Sequence, residues 1–320
     1  MLILLNRFFS QSILSYMTLS TVLRPAQKGA LMLILFCLLA ASIAQGQNAN
    51  QYSFAASSGT YTSILGQTGV GTIPTIHGDD MISTGIVPFQ FSFNYCGNSY
   101  VGFKVCSNGW VSFESNAAST TSNNFITELN NIKPGLMPLW DNLTGASNVG
   151  ATGLFMTTGT APNRVFTYEC NNWAWTNIAV SANISFQIKL YEGSDVIQFI
   201  YRPEAGSLAG NLGATIGICD GNVTPTYITL NNATASPTAS STNFYSSIAT
   251  RPANGQIYQF TPPPPCSGTP PAALISPSGP ISICLGSSVT LSGVLSPAAT
   301  GVSYQWESST TGSAPWTAVT

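Results

Sequence analysis

Two stretches of this chain alternate strictly between apolar and polar residues, and they fix the class of fold. In FQFSFNY, Phe89, Phe91, Phe93 and Tyr95 recur at every second position; in ISFQIKL, Ile184, Phe186, Ile188 and Leu190 do the same. A period of two belongs to strands with one buried face, whereas an amphipathic helix would repeat near 3.6 residues. ATIGIC (214–219) and IYQF (257–260) add further strand signals. The turn chemistry agrees: Asn108-Gly109 in KVCSNGWVSF predicts a tight two-residue turn of positive φ, and Glu192-Gly193-Ser194-Asp195 predicts a second hairpin. NNFITELNNI (123–132) predicts one short helix, ended by Pro134. The expectation is an all-β chain whose residues 47–262 form an antiparallel β-sandwich or jelly-roll-like domain.

The flanks read differently. Arg24 and Lys28 precede the apolar run ALMLILFCLLA (30–40), and Ser42-Ile43-Ala44 supplies the small residues of a cleavage site. Residues 1–44 are expected to be a signal peptide, with Met17 as an alternative start, and the mature chain to carry no membrane span. Thr261 and the four prolines after it open a stiff Pro-rich linker over 261–271. Beyond it ICLGSSVTLSG (283–293) and VSYQWESS (302–309) predict two strands of a partial Ig-like sandwich over 272–320, with Trp306 as its buried aromatic.

Charge limits the functions available. The 320 residues include 9 Lys+Arg, 11 Asp+Glu and 1 His. A nucleic-acid partner needs a basic face, which this chain lacks. Acid–base catalysis needs titratable groups held close together, and here they are scattered, so the chain is not expected to be an enzyme. His77 with Asp79 and Asp80 in HGDDMISTG is the one compact cluster, and turn formation accounts for it.

Exported chains use cysteine for cross-links, which makes Cys96, Cys106, Cys170 and Cys219 disulfide candidates, with the connectivity open. Trp110 sits after the Asn-Gly turn in a phase that permits either exposure or burial, and a large aromatic favours a structural anchor. Trp173 and Trp175 in CNNWAWTN share a face between asparagines, and with Tyr168 they are the candidate contact for a glycan or other partner. No cofactor is expected, although calcium at Asp141 or Asp220 is the metal site to test, with Asx-turn capping as the alternative.

FKVCSNGWVSF, GLMPLWDNL (135–143), NRVFTYE (163–169), ISFQIKLYEGSDVIQFIY (184–201) and ICLGSSVTLS with YQWESS occur in an order that resembles the large secreted surface proteins of Bacteroidota. The resemblance implies an N-terminal β-rich domain followed by Ig-like or PKD-like modules, in a type IX secretion setting whose sorting domain is not present here. NGW followed by PLWDNL is also similar to the nidogen-type extracellular domain. Taken with the composition, the expectation is a non-catalytic secreted or cell-surface adhesion or scaffold protein that contacts an extracellular protein or glycan. The alternative is the accessory carbohydrate-binding portion of a secreted glycan-degrading enzyme whose catalytic domain lies beyond Thr320.

Overall fold

The computed structural model describes residues 47–145, 150–176 and 181–264, together with Ala179, Thr290 and the backbone of short strands elsewhere. The chain divides into two compact units, one spanning 46–263 and the other combining 1–45 with 264–320. In the second of these, Leu2–Leu5 pairs with Trp306–Ser309, which pairs with Thr317–Ala318, and Ala273–Ser276 pairs with Ser292–Leu295. Apart from the backbone of Leu2–Leu5, the expected signal peptide over 1–44 lies outside the described residues, as does the side chain of Trp306.

The unit 46–263 is built from β1 (Ser53–Ser58), β2 (Gly71–Thr72), β3 (Val87–Tyr95), β4 (Asn98–Cys106), β5 (Trp110–Ser112), β6 (Gly135–Trp140), β7 (Leu143–Thr144), β8 (Thr152–Thr158), β9 (Val165–Trp175), β10 (Ile184–Tyr191), β11 (Ile197–Pro203), β12 (Thr215–Cys219), β13 (Tyr227–Leu230), β14 (Ala239–Ser240) and β15 (Gln256–Thr261). An eight-stranded sheet runs β1-β15-β11-β10-β9-β8-β2, with β7 paired to the end of β9. A seven-stranded sheet runs β14-β13-β12-β6-β5-β4-β3. Every named pairing in the unit is antiparallel, so the expected all-β sandwich is the fold observed.

The alternating residues do what their period requires. Phe89, Phe93, Ile184, Phe186, Ile188 and Leu190 all enter one core cluster fully buried. Aromatic rings close the gap between the sheets: Phe166 of β9 lies 4.8 Å from Phe89 and 5.5 Å from Phe103, centroid to centroid. These tilted contacts are the favoured geometry for aromatic rings and add to the burial itself.

The outer face of the seven-stranded sheet is covered as well. Ile126–Glu128 forms a 3-10 turn that continues into a single α-helical turn, Leu129–Ile132. Lys133 is already extended, as a residue before proline prefers, so Pro134 ends the helix where expected. Leu129 and Ile132 close a second cluster with Cys106, Trp110, Met137, Trp140 and Cys219. Val111 and Phe113 join the main core instead, which settles the phase that the sequence leaves open at Trp110.

Both predicted hairpins exist, but one turn differs. Cys106 pairs with Trp110 across a three-residue loop, and within it Gly109 has positive φ (75°) while Asn108 does not. A Cβ on Gly109 would stand 2.0 Å from the Leu139 carbonyl oxygen, so close approach as well as φ requires glycine there. The two-residue turn with both residues at positive φ falls instead at Cys96-Gly97, between Tyr95 and Asn98.

Candidate functional site

Most of the motifs singled out in the sequence converge at one place, around Asn108. Its backbone carbonyl accepts from the Asp141 N–H at 3.2 Å, and its Oδ1 accepts from the Leu143 N–H at 3.1 Å. Its Nδ2 donates to Asp80 Oδ1 and to the Thr120 carbonyl, both at 2.7 Å. The SNGW hairpin, the PLWDN strand end and the HGDD loop are therefore tied together by one fully buried asparagine.

Each indole at this convergence is used internally. Trp110 and Trp140 both donate to the Thr121 carbonyl, Trp173 donates to the Ser107 carbonyl at 3.0 Å, and Trp175 donates to Asp141 Oδ2 at 2.8 Å. Trp110 is 1% exposed and Trp173 and Trp175 are 0% exposed, while Tyr168 is buried at 1% with its hydroxyl 3.0 Å from Cys170 Sγ. This corrects the glycan-contact expectation for Tyr168, Trp173 and Trp175, because a ring without an accessible face cannot stack on a sugar. The cause is a bulge in β9: the register with β10 shifts between Cys170 and Trp173, where Asn172 takes φ 55°. The extra residue turns Trp173 and Trp175 onto the face already used by Phe166, Tyr168 and Cys170, the core face.

The two calcium candidates, Asp141 and Asp220, lie in hydrogen-bonded loops. Asp141 accepts from Trp175 Nε1 and the Gly213 N–H on Oδ2 (2.8 and 2.9 Å), and from the Asn142 N–H on Oδ1 at 2.8 Å. Asp220 accepts from the Asn222 and Thr226 N–H groups on Oδ1 (3.1 and 3.0 Å), and from the Ala49 N–H and the Thr226 hydroxyl on Oδ2. Both carboxylates serve as loop staples, with their oxygens accepting from protein donors. Among the described residues no group of three or more His, Cys, Asp or Glu side chains converges on a common point.

The disulfide expectation is also corrected. Cys96, Cys106, Cys170 and Cys219 are free, buried thiols. Cys106 and Cys219 share a cluster, yet β5 and β6 separate their strands. At about 4.8 Å per strand spacing that is roughly 14 Å, beyond the reach of about 7 Å for a disulfide. Burial pushes the Cys106 and Cys219 thiols up to about 12 and raises those of Cys96 and Cys170 further, so none is a reactive thiolate at neutral pH.

In the HGDD loop, His77 Nε2 accepts from the Gly153 N–H at 3.1 Å, and its ring meets Trp173 edge-on at 6.1 Å. Burial lowers its pKa, which favours the neutral acceptor form this contact needs. Asp80 has φ 52° and accepts from Asn108 Nδ2.

One buried carboxyl group escaped the sequence reading. Glu169 is fully buried on the other face of β9, where Oε1 accepts from the Tyr61 and Ser63 hydroxyls (3.0 and 2.7 Å) and Oε2 from the Ile64 N–H and Gln187 Nε2 (2.8 and 2.9 Å). It pins the 60–65 segment as a strap over the eight-stranded sheet. A lone carboxylate inside the apolar strand VFTYEC was the available signal.

One open cleft of mixed polarity lies near Ile86. It measures about 340 Å3 and is lined by Thr72, Pro74, Thr84, Ile86, Pro88 and Phe155. Ile86 is 42% exposed on its rim, and its Cδ1 comes within 3.3 Å of where a Cβ on Gly102 would stand, next to Val101 at 61% exposure.

The family model described as NIDO related matches residues 51–262, which are nearly the whole of the compact unit 46–263. No curated protein and no solved structure gives a significant match.

Proposed function

The chain belongs to the NIDO-related family, and on that premise we propose that residues 46–263 are a non-catalytic extracellular contact module of an adhesion or scaffold protein. The observation that carries this reading is the commitment of the motif side chains to the fold: Asn108, Asp141, Asp220 and the four tryptophans of the unit all spend their polar groups on protein partners. Among the large apolar side chains left exposed are Ile86, which lines the cleft, and Val101. Protein contact is favoured over glycan contact because Tyr168, Trp173 and Trp175, the rings nominated for stacking on sugar, are buried. Among the described residues no helix is long and apolar enough to cross a membrane. Export through residues 1–44, and Ig-like modules after the Pro-rich linker as in Bacteroidota surface proteins, complete the proposal.

The test is to screen the full chain against arrayed extracellular proteins and a glycan panel, then to repeat any hit with Ile86→Lys/Val101→Lys. Saturable binding to a protein that the double variant loses by tenfold or more supports the reading. Glycan binding that the variant retains, or turnover of any glycan, overturns it in favour of a carbohydrate-degrading system.

A further inference from the structure

The two long free edges of the sandwich are treated in opposite ways. β3 borders the seven-stranded sheet, and side chains from the other sheet plug its outward backbone groups. Thr157 donates its hydroxyl to the Phe89 carbonyl at 2.8 Å, Arg164 donates Nη1 to the Gln90 carbonyl at 2.5 Å, and Asp195 accepts from the Asn94 N–H at 2.9 Å. This is the expected defence of an edge that would otherwise pair with another chain. β1 borders the eight-stranded sheet with no such cover among the described residues.

Parity fixes which groups β1 presents. The Gly59 N–H donates to the Gly255 carbonyl at 2.8 Å, and the Ser57 carbonyl accepts from Gln256 Nε2 at 2.9 Å, so the odd-numbered residues turn towards β15. In an antiparallel ladder the alternate residues turn away. Phe54, Ala56 and Ser58 therefore direct their N–H and C=O groups outward.

We propose that this edge binds a second copy of the same chain, β1 against β1, antiparallel about a two-fold axis at Ala56. In that register Phe54 stands opposite Ser58 of the second copy, Ala56 opposite itself, and Ala55 opposite Ser57. Every outward group is then paired, giving about six backbone hydrogen bonds and one continuous sheet through both copies. The side chains permit it. Ser53, Ala55, Ser57 and Ser58 are small and exposed, while Phe54 lies against Tyr258 and Phe260 at 6.0 and 5.4 Å and leaves room for a serine opposite. No charged residue or proline occurs in Ser53–Gly59, nor a charge in the neighbouring strand Gln256–Thr261. A two-fold axis sets identical groups near one another, so an uncharged edge removes the repulsion that ordinarily forbids self-pairing. An isologous pair of this kind would make a contact module bivalent, which multiplies weak contacts.

The experiment is sedimentation velocity of the full chain across a concentration series, with Ala55→Lys/Ser57→Lys as the edge variant. Both substitutions are on exposed side chains, leave the β15 ladder intact and set lysine opposite lysine across the axis. The expected result is a concentration-dependent dimer whose association the variant weakens by about tenfold or more, at an unchanged melting temperature. Register is read by oxidative cross-linking: Ala55→Cys mixed with Ser57→Cys forms a covalent dimer, and Ala55→Cys alone does not. A folded chain that stays monomeric throughout the series, or a dimer that the lysine variant leaves intact, overturns the proposal.

Discussion

Trp110 and Trp140 donate their indole N–H groups to a single acceptor, the Thr121 carbonyl, at 3.0 and 3.1 Å. One oxygen thus ties the SNGW hairpin and the PLWDN strand to the 119–124 loop. Asn124 fastens the same loop from its other end, donating to the Trp140 carbonyl at 3.1 Å. Replacing either tryptophan with phenylalanine removes one of two donors and leaves a small void. Each variant is expected to lose about 1–3 kcal/mol in urea denaturation. The double variant, which leaves the half-buried Thr121 carbonyl with neither indole, should lose more than the sum of the two. Strict additivity would show that the shared acceptor does not couple them.

The buried thiols predict a chemical silence. At pH 8 the native chain should leave Cys96, Cys106, Cys170 and Cys219 unmodified by a thiol reagent, and all four should react in denaturant without prior reduction. Peptide mass spectrometry of the alkylated protein reads this directly. A disulfide-linked peptide joining any two of them would refute the free-thiol state.

Glu169 holds four donors beneath the 60–65 strap. Glu169→Gln puts an N–H2 where the donors need an acceptor and should cost about 2 kcal/mol; Glu169→Leu, which abandons all four, should cost about 4 kcal/mol. Limited proteolysis should then cut within 60–65 in both variants while the wild type resists. Equal stability of the leucine variant would mean that the strap does not depend on this carboxylate.

His77 gives the pH dependence a sign. Burial lowers its pKa in the folded chain, so near and below its ordinary value of about 6.5 the unfolded state binds the extra proton more readily. Its contribution to stability is complete above that value and is lost as the pH falls through it towards the lower folded value. Melting temperatures at pH 7.5 and 5.5 should therefore drop less for His77→Gln, whose amide oxygen can still accept from Gly153, than for the wild type. An identical drop in both would assign the acid sensitivity elsewhere.

Local patterns in the sequence determined the strands, the hairpins, the short helix before Pro134 and hence the sandwich, because period two, turn residues and proline act over a few neighbouring positions. The FQFSFNY and ISFQIKL alternations map onto β3 and β10 with their apolar residues inside. Which aromatics are buried was a tertiary decision. Alternation separates two faces without saying whether one meets water, and here the helix at 129–132 and the strap at 60–65 cover outer faces that a bare sandwich would expose. The bulge at Asn172 then reversed the face of Trp173 and Trp175, a shift of one residue that only pairing with β10 reveals. The same limit holds for Cys106 and Cys219: composition proposes a bond between cysteines, but the order of strands sets how far apart they stand, and that order is a property of the folded sheet.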